Sequence, residues 1–185
     1  MRKELRKLVM SGMVAAGVFG AQGSRAHAFA ADMTLQPGVM APAFSLPSQT
    51  DAQVSLADYK GKYVVLYFYP KDQTSGCSLE AHNFERDTAK YAALNAVVLG
   101  VSLDTVESHK KFCTKDGLNF KLLADPEHKV IDAYGVHVTS MGPIKYANRD
   151  TFLIGPDGKV LKVWDVKSIQ THSDEVLAAI AQAKK

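Results

Sequence analysis

The sequence is poor in cysteine and in net charge, and each scarcity excludes a class of protein. Two cysteines in 185 residues are too few for a disulfide-rich scaffold, and no Cys-x-x-Cys pair is present, which disfavours a disulfide oxidoreductase. Of the net charge of +3, the first 28 residues carry +5 − 1 = +4, from Arg2, Lys3, Arg6, Lys7, Arg25 and Glu4. The rest carries +3 − 4 = −1, so no basic surface indicates nucleic acid binding.

Closely spaced metal ligands are also missing. Beyond the first 28 residues the histidines are isolated from one another: His82, His109, His128, His137 and His172. Such histidines favour packing or solvated roles over ligation, and no cofactor or metal is predicted. A metal-binding module that recruits Cys77, His82 and His137 as ligands stays open as an alternative.

Long apolar runs are scarce, and the one near the N terminus is too short and glycine-rich for a membrane span. It follows the basic segment MRKELRK and precedes Ala26 and Ala28, which is the order of a bacterial secretory signal peptide. We predict a cleaved signal peptide at residues 1–28, with cleavage near Ala30–Ala31 as the alternative. A linker at 29–38 and one domain at 39–185 follow. The mature protein is expected in the periplasm or outside the cell, without a membrane anchor.

Strand and helix patterns alternate along the predicted domain. Residues 62–69 and 96–102 are continuous β-branched and aromatic runs, typical of strands buried on both faces. Short extended pieces near Phe44 and Val54 and a hairpin turning at 156–158 complete the strands, with Trp164 expected in the core. Four helices are predicted from apolar spacing and caps: 75–94, a helix from an Asp104 cap to 115, 126–134, and a last helix capped by Ser173.

This order of elements predicts an α/β protein with a thioredoxin-like fold. Helices would flank a mixed central sheet, and the extended pieces near Phe44 and Val54 would form an N-terminal hairpin extension.

Cys77 lies in the first turn of a predicted helix that follows a buried strand. Unpaired backbone amides and the positive end of the helix dipole favour its thiolate over its thiol. Pro70 fixes the chain as it leaves the strand, Thr74 brings a hydroxyl, and Gly76 allows close approach. Together these predict a small polar pocket around a reactive sulfur, with a buried structural cysteine as the alternative.

The order of Pro70, Thr74 and Cys77, PxxxTxxC, resembles the active-site signature of the peroxiredoxins. The longer FYPKDQTSGCSLEA is similar to the branch known as peroxiredoxin Q or bacterioferritin comigratory protein. The likeness continues through LNFKLLADPEHKVIDAYGV and NRDTFLIGPDGKV, which include Arg149. The resemblance implies a thiol-dependent peroxidase with a thioredoxin fold that reduces hydrogen peroxide and organic hydroperoxides.

The resemblance also implies site residues. Cys77 would be the peroxidatic cysteine that becomes a sulfenic acid, Thr74 would hydrogen-bond the peroxide, and Pro70 would shield the sulfur. Arg149 would hold the thiolate and stabilise charge on the leaving oxygen. Glu80 matches a glutamate often found after this cysteine, although a solvated charge is the alternative.

The second cysteine is not where many members of the branch have it, because His82 occupies the position five residues after Cys77. Another subset places its resolving cysteine in the later helix, which implies that Cys113 resolves Cys77 by a disulfide. A thioredoxin-like dithiol protein would then recycle the enzyme, and a monomer is expected. The alternative is a one-cysteine peroxidase in which Cys113 is structural and an outside thiol resolves the sulfenic acid.

Helix geometry adds a prediction about Cys113. In consecutive βα units with parallel strands, the helices start at the same end of the sheet. Cys113 lies about eight or nine residues into its helix, which gives an axial offset of roughly 12 Å from Cys77. A disulfide needs Cα atoms within about 7 Å, so we predict that a helix end unwinds before the bond forms.

Overall fold

The computed structural model describes residues 35–184 of the chain. The predicted signal peptide at 1–28 and the linker as far as residue 34 lie outside the described residues. Within residues 35–184 no helix has the length and apolar character that crossing a bilayer requires.

The described chain forms strands and helices in alternation. The strands are β1 (Ser45–Pro47), β2 (Gln53–Ser55), β3 (Tyr63–Phe68), β4 (Ala96–Ser102), β5 (Lys121–Ala124), β6 (Val138–Met141), β7 (Ile144–Ala147), β8 (Asp150–Ile154) and β9 (Val160–Asp165). The helices are α1 (Ser75–Arg86), α2 (Thr88–Ala93), α3 (Val106–Asp116), α4 (Lys129–Ala133) and α5 (His172–Ala183).

The central sheet has five strands in the order β5-β4-β3-β8-β9. β3, β4 and β5 are parallel, whereas β8 pairs antiparallel with β3 and β9 pairs antiparallel with β8. The predicted mixed sheet of a thioredoxin-like fold is therefore confirmed. The pieces near Phe44 and Val54 form the β1–β2 hairpin as expected, but a second hairpin, β6–β7, was not predicted.

The core consists of two apolar clusters, one on each face of the sheet. Because side chains alternate along a strand, β3 contributes Tyr67 to one cluster and Leu66 and Phe68 to the other. The first cluster packs against α1, α2, α3 and α5, and the second against α4 and the N-terminal hairpin. This double burial explains the unbroken apolar run, and it puts α1 and α3, which carry the two cysteines, on one face.

The single helix predicted at 75–94 is wrong, because the chain breaks at Asp87 into α1 and α2. The Asp87 carboxylate is fully buried, and it accepts hydrogen bonds from Arg86 and, at 2.8 Å, from the Ser173 hydroxyl. The Ser173 cap is consequently wrong as well. The last helix has Thr171 at its N-cap, and the Ser173 side chain joins that helix to the break between α1 and α2.

Two further helix starts also differ from prediction. Thr105 caps α3 in place of Asp104, whose carboxylate instead accepts the backbone N–H of Asp72 at 2.9 Å. α4 begins at residue 129 and not at 126, since the Asp125 carboxylate accepts the first amides of that helix. Trp164 is half-buried and packs at the margin of the first cluster, where a core position was predicted.

The N-terminal strap, residues 35–49, contacts both edges of the sheet. Gly38 and Val39 exchange hydrogen bonds with Val160 at the start of β9, and Leu35 packs against the second cluster. At the opposite edge Ser48 forms a bridge with Leu123 of β5. Residues 35–38, the end of the predicted linker, thus pack onto the domain.

Candidate active site

Cys77 is the third residue of α1, directly beyond the loop that leaves β3. Thr74 is the N-cap residue of this helix and has an extended backbone conformation. Cys77 is 2% exposed and lies at the edge of the core. Backbone amides of the first helical turn, which have no acceptor within the helix, surround this position. A thiolate there would meet a positive electrostatic field with little competing water.

Arg149 contacts this sulfur. Its Nη2 atom donates a hydrogen bond to Cys77 Sγ at 3.3 Å, although the two residues are 72 positions apart. The sheet brings them together, because Arg149 immediately precedes β8 and β8 pairs with β3, whose end leads into the Cys77 loop. The guanidinium can therefore stabilise negative charge on the sulfur and on an oxygen that approaches it.

Glu80 completes the arrangement from the next turn of α1. It is 1% exposed and forms an ion pair with Arg149 Nη1, so the alternative of a solvated charge is wrong. Burial raises the pKa of the Glu80 carboxyl to about 7, against the lowering effect of Arg149. Arg149 thus donates to Glu80 through Nη1 and to Cys77 through Nη2, and the ion pair holds the guanidinium next to the sulfur.

Thr74 and Pro70 border the same loop at its surface. The Thr74 hydroxyl donates to the backbone carbonyl of Lys71 at 3.0 Å, which leaves its oxygen free to accept a hydrogen bond from a hydroperoxide. Pro70 is half-buried. A Cβ on Gly76 would lie 3.5 Å from Arg149, an ordinary contact, so the close approach predicted for Gly76 is not needed.

Cys113 lies on α3, half-buried against the cluster that contains Cys77. Both cysteines are free thiols in this structure. Burial, and next the charges of Asp72 and Glu85, raise the pKa of the Cys113 thiol to about 12. In this position Cys113 is a protonated and therefore weak nucleophile.

A buried polar network, defined here as Tyr69, Asp72 and His109, lies between the Cys77 loop and α3. The Tyr69 hydroxyl donates to Asp72 at 2.7 Å, and His109 Nδ1 lies 2.8 Å from the other oxygen of that carboxylate. This network was not predicted, since the sequence indicated only a packing or solvated role for His109. No local pattern joins the three residues, since His109 is 37 positions from Asp72.

Within residues 35–184 no group of three or more His, Cys, Asp or Glu side chains is arranged to hold a metal ion. The alternative that recruits Cys77, His82 and His137 has no such cluster to support it. His82 Nε2 instead lies 3.1 Å from Asp116 Oδ1 at the end of α3.

Comparison with known proteins agrees with this geometry. The sequence profile of the AhpC/TSA family matches residues 37–163. Peroxiredoxin Bcp of Bacillus subtilis is 42% identical over 151 residues, covering 80% of this chain and 96% of the relative. The structure of a variant of Xylella fastidiosa PrxQ superposes with a TM-score of 0.77 at 31% identity, covering 83% of this chain and 100% of that one.

Bacterioferritin comigratory protein of Xanthomonas campestris superposes with a TM-score of 0.72 at 32% identity, covering 77% of this chain and 92% of that one. The description of that structure assigns it alkyl peroxide reduction activity. Two structures of Xanthomonas campestris peroxiredoxin Q that also superpose are cysteine-to-serine variants, and the two substituted cysteines lie 36 positions apart.

The first turn of α1 thus carries a buried cysteine whose sulfur contacts Arg149. The sequence and the fold of the chain both match one group of thiol peroxidases. The family and the enzyme class predicted from PxxxTxxC are confirmed. The chain belongs to the AhpC/TSA family, in the Bcp or peroxiredoxin Q branch of the peroxiredoxins.

Proposed function

We propose that this peroxiredoxin reduces hydrogen peroxide and organic hydroperoxides with Cys77 as the attacking thiolate. The observation that carries the proposal is the Arg149 guanidinium, which contacts Cys77 Sγ at 3.3 Å and is held from behind by Glu80. The alkyl peroxide reduction assigned to the Xanthomonas campestris protein supports the inclusion of organic hydroperoxides.

In the proposed first step the Cys77 thiolate attacks one oxygen of the peroxide O–O bond. The bond breaks, the leaving oxygen takes a proton to become water or an alcohol, and the sulfur becomes a sulfenic acid. Arg149 stabilises the charge as it moves from sulfur to oxygen, and Thr74 accepts a hydrogen bond from the peroxide. Pro70 limits the access of water to the sulfur.

In the proposed second step Cys113 attacks the Cys77 sulfenic acid, which forms a disulfide and releases water. The spacing of 113 − 77 = 36 equals that of the two cysteines replaced in the Xanthomonas campestris structures, which supports this pairing. Burial raises the pKa of Cys113, so the thiol is a weak nucleophile where it lies, and a local opening of α3 or α1 that exposes it would favour the step.

A dithiol protein of the thioredoxin type would complete the cycle by thiol–disulfide exchange. Two electrons and two protons from the dithiol restore both cysteines, and the donor leaves as a disulfide. If Cys113 resolves within the chain, the enzyme needs no partner subunit, and we propose that it works as a monomer.

The experiment is peroxide consumption with a dithiol reductant, combined with intact mass after one equivalent of peroxide. Cys77→Ser should be inactive, wild type should lose about two mass units, and Cys113→Ser should gain one oxygen. If Cys113→Ser behaves like wild type, an outside thiol resolves the sulfenic acid and Cys113 is structural. Full activity in Cys77→Ser would refute the whole proposal.

We also propose that residues 1–28 act as a secretory signal and that the mature protein works in the periplasm or outside the cell. The basic segment, the short apolar run and the small residues Ala26 and Ala28 support this. The intact mass of protein recovered from a periplasmic extract tests it. A mass that begins at residue 29 is expected, and a full-length cytoplasmic product would contradict it.

A further inference from the structure

The buried network of Tyr69, Asp72 and His109 joins the loop of the attacking cysteine to the helix of the second cysteine. Asp72 lies in the loop between β3 and Cys77, whereas His109 lies on α3, one turn before Cys113. All three network residues are buried, and His109 is fully inaccessible. Any opening of α3 that carries this turn away must break the contact between His109 and Asp72.

Hydrogen bonding assigns the charges in this network. Burial raises the pKa of the Asp72 carboxyl, but the hydrogen bond and charge of His109 outweigh that effect, and the pKa lies below its ordinary value. Asp72 is therefore a carboxylate, and since a carboxylate only accepts, His109 Nδ1–H and the Tyr69 hydroxyl both donate to it.

His109 has no polar side-chain contact outside the network: besides Asp72, its Nδ1 atom lies 3.3 Å from the Tyr69 hydroxyl, so Tyr69 also contacts α3. The His109 Nε2 atom is buried and has no hydrogen-bond partner among the described residues. The Asp72 backbone N–H donates to Asp104, which directly precedes the Thr105 N-cap of α3, so the loop is also bound next to the start of that helix. The network thus has a single function that the geometry supports, which is to hold α3 against the Cys77 loop.

We propose that His109, with Asp72 and Tyr69, is a positioning residue that keeps α3 docked while Cys77 reacts and so sets the rate at which Cys113 reaches the sulfenic acid. This inference rests on the proposed role of Cys113. While α3 stays docked, the Cys77 sulfenate can meet a second peroxide, gain one oxygen as a sulfinate and release water or an alcohol. The network thereby sets the proportion of Cys77 sulfenate that forms the disulfide and the proportion that is over-oxidised.

Stopped-flow measurement of disulfide formation after a peroxide pulse tests the proposal. His109→Leu keeps the bulk of the side chain but removes the hydrogen-bond donor. It should speed disulfide formation about tenfold, which is the smallest rate change expected from losing one hydrogen bond to a charged group. His109→Asn places an N–H near the position of Nδ1 and should restore a rate close to wild type. The peroxide concentration that gives half over-oxidation should rise by about the same factor in His109→Leu.

A matched pair separates the network from general loosening of the fold. Tyr69→Phe and Tyr134→Phe each remove one phenol that donates a hydrogen bond, to Asp72 in the first case and to Pro42 on the other face of the sheet in the second. Tyr69→Phe should speed resolution about threefold or more, and Tyr134→Phe should leave it unchanged. Equal effects in the two variants, or no faster resolution in His109→Leu, would overturn the proposal.

A second measurement does not depend on resolution by Cys113. In a Cys77→Ser background, the rate at which a disulfide reagent labels Cys113 reports how often α3 opens, and His109→Leu should raise it about tenfold. If wild type forms no Cys77–Cys113 disulfide, the proposed function fails while the labelling can still show docking. If the disulfide forms but neither rate changes, only the positioning role fails.

Discussion

Replacing Glu80 by glutamine should change how the stability of the reduced protein depends on pH. Glu80 is a buried carboxyl group on α1, and its pKa is raised from 4.5 to about 7 by burial. Between these two pH values the folded protein holds a proton on Glu80 that the unfolded chain has already released. Folding is then linked to proton uptake, so a rise in pH lowers the free energy of unfolding.

The size of this effect follows from the difference in pKa. A difference of one in pKa corresponds to about 1.36 kcal/mol, so the change from 4.5 to about 7 gives a loss of roughly 3 kcal/mol in stability on going from pH 4.5 to pH 8. Two other groups, the buried His172 and the half-buried Asp150, also affect stability in this range. The pKa of His172 is lowered to about 4 by burial, which has the opposite sign, and that of Asp150 is raised to about 6 by burial and Asp165.

Urea unfolding followed by circular dichroism between pH 4.5 and 8 measures the effect, with Cys77→Ser in every variant to remove the titration of its thiol. The difference between Glu80 and Glu80→Gln cancels the contributions of His172 and Asp150. Glu85→Gln, the same change at a half-buried position of the same helix, serves as the control and should keep the full slope. If Glu80→Gln shows the wild-type slope within about 0.5 kcal/mol, Glu80 is ionised throughout and the reasoning is refuted.

Three further predictions concern other parts of the fold. Gly100→Ala should lower the free energy of unfolding in urea by about 1–3 kcal/mol, because a Cβ there would lie 2.8 Å from the Tyr67 ring; unchanged stability would contradict this. Arg149→Lys should slow the reaction of Cys77 with peroxide about a hundredfold in stopped-flow measurements, since an ammonium cannot make both contacts of the fork. Asp125→Ala should lower the free energy of unfolding by about 1–2 kcal/mol in the same urea assay, because three amides at the start of α4 lose their acceptor. Asp125→Asn keeps one acceptor oxygen and should lose less, so an equal loss in both variants would contradict this reasoning.

The central sheet could be predicted because burial on both faces leaves a strong sequence pattern. Residues 63–69 and 96–101 carry no charged side chain and are apolar or aromatic apart from Gly100, and they became β3 and β4 with nearly the predicted bounds. The β6–β7 hairpin left no such pattern. Only Ala147 of its eight strand residues is buried, so neither alternation nor an apolar run marks it, and Pro143 in its turn further weakens a strand pattern.

Helix ends were harder to predict than helices, because distant residues decide them. Asp87 breaks the helix predicted at 75–94 only because its carboxylate is buried against Ser173, which is 86 positions away. Asp104 and Asp125 are both plausible caps by local rules. Only the fold shows that Asp104 accepts a hydrogen bond from the Cys77 loop, and that Asp125 accepts the first amides of α4 although the helix begins four residues later.

The candidate site shows the same division between local and distant information. The loop of Pro70, Thr74 and Cys77 is contiguous, so its place at the start of a helix follows from the sequence. Arg149 was named through family resemblance, and its contact with Cys77 depends on the pairing of β8 with β3. His109 was missed because a buried histidine and a solvated one look alike in a sequence.

The N-terminal strap has a consequence for solubility. A sheet edge that carries unpaired N–H and C=O groups is a template for pairing with another chain, and the strap occupies part of both edges of this sheet, at Val160 and at Leu123. A variant that begins at residue 50 would expose both edges together with the second apolar cluster. We expect it to form sheet-to-sheet aggregates at concentrations where a chain beginning at residue 29 stays dispersed, which light scattering can compare.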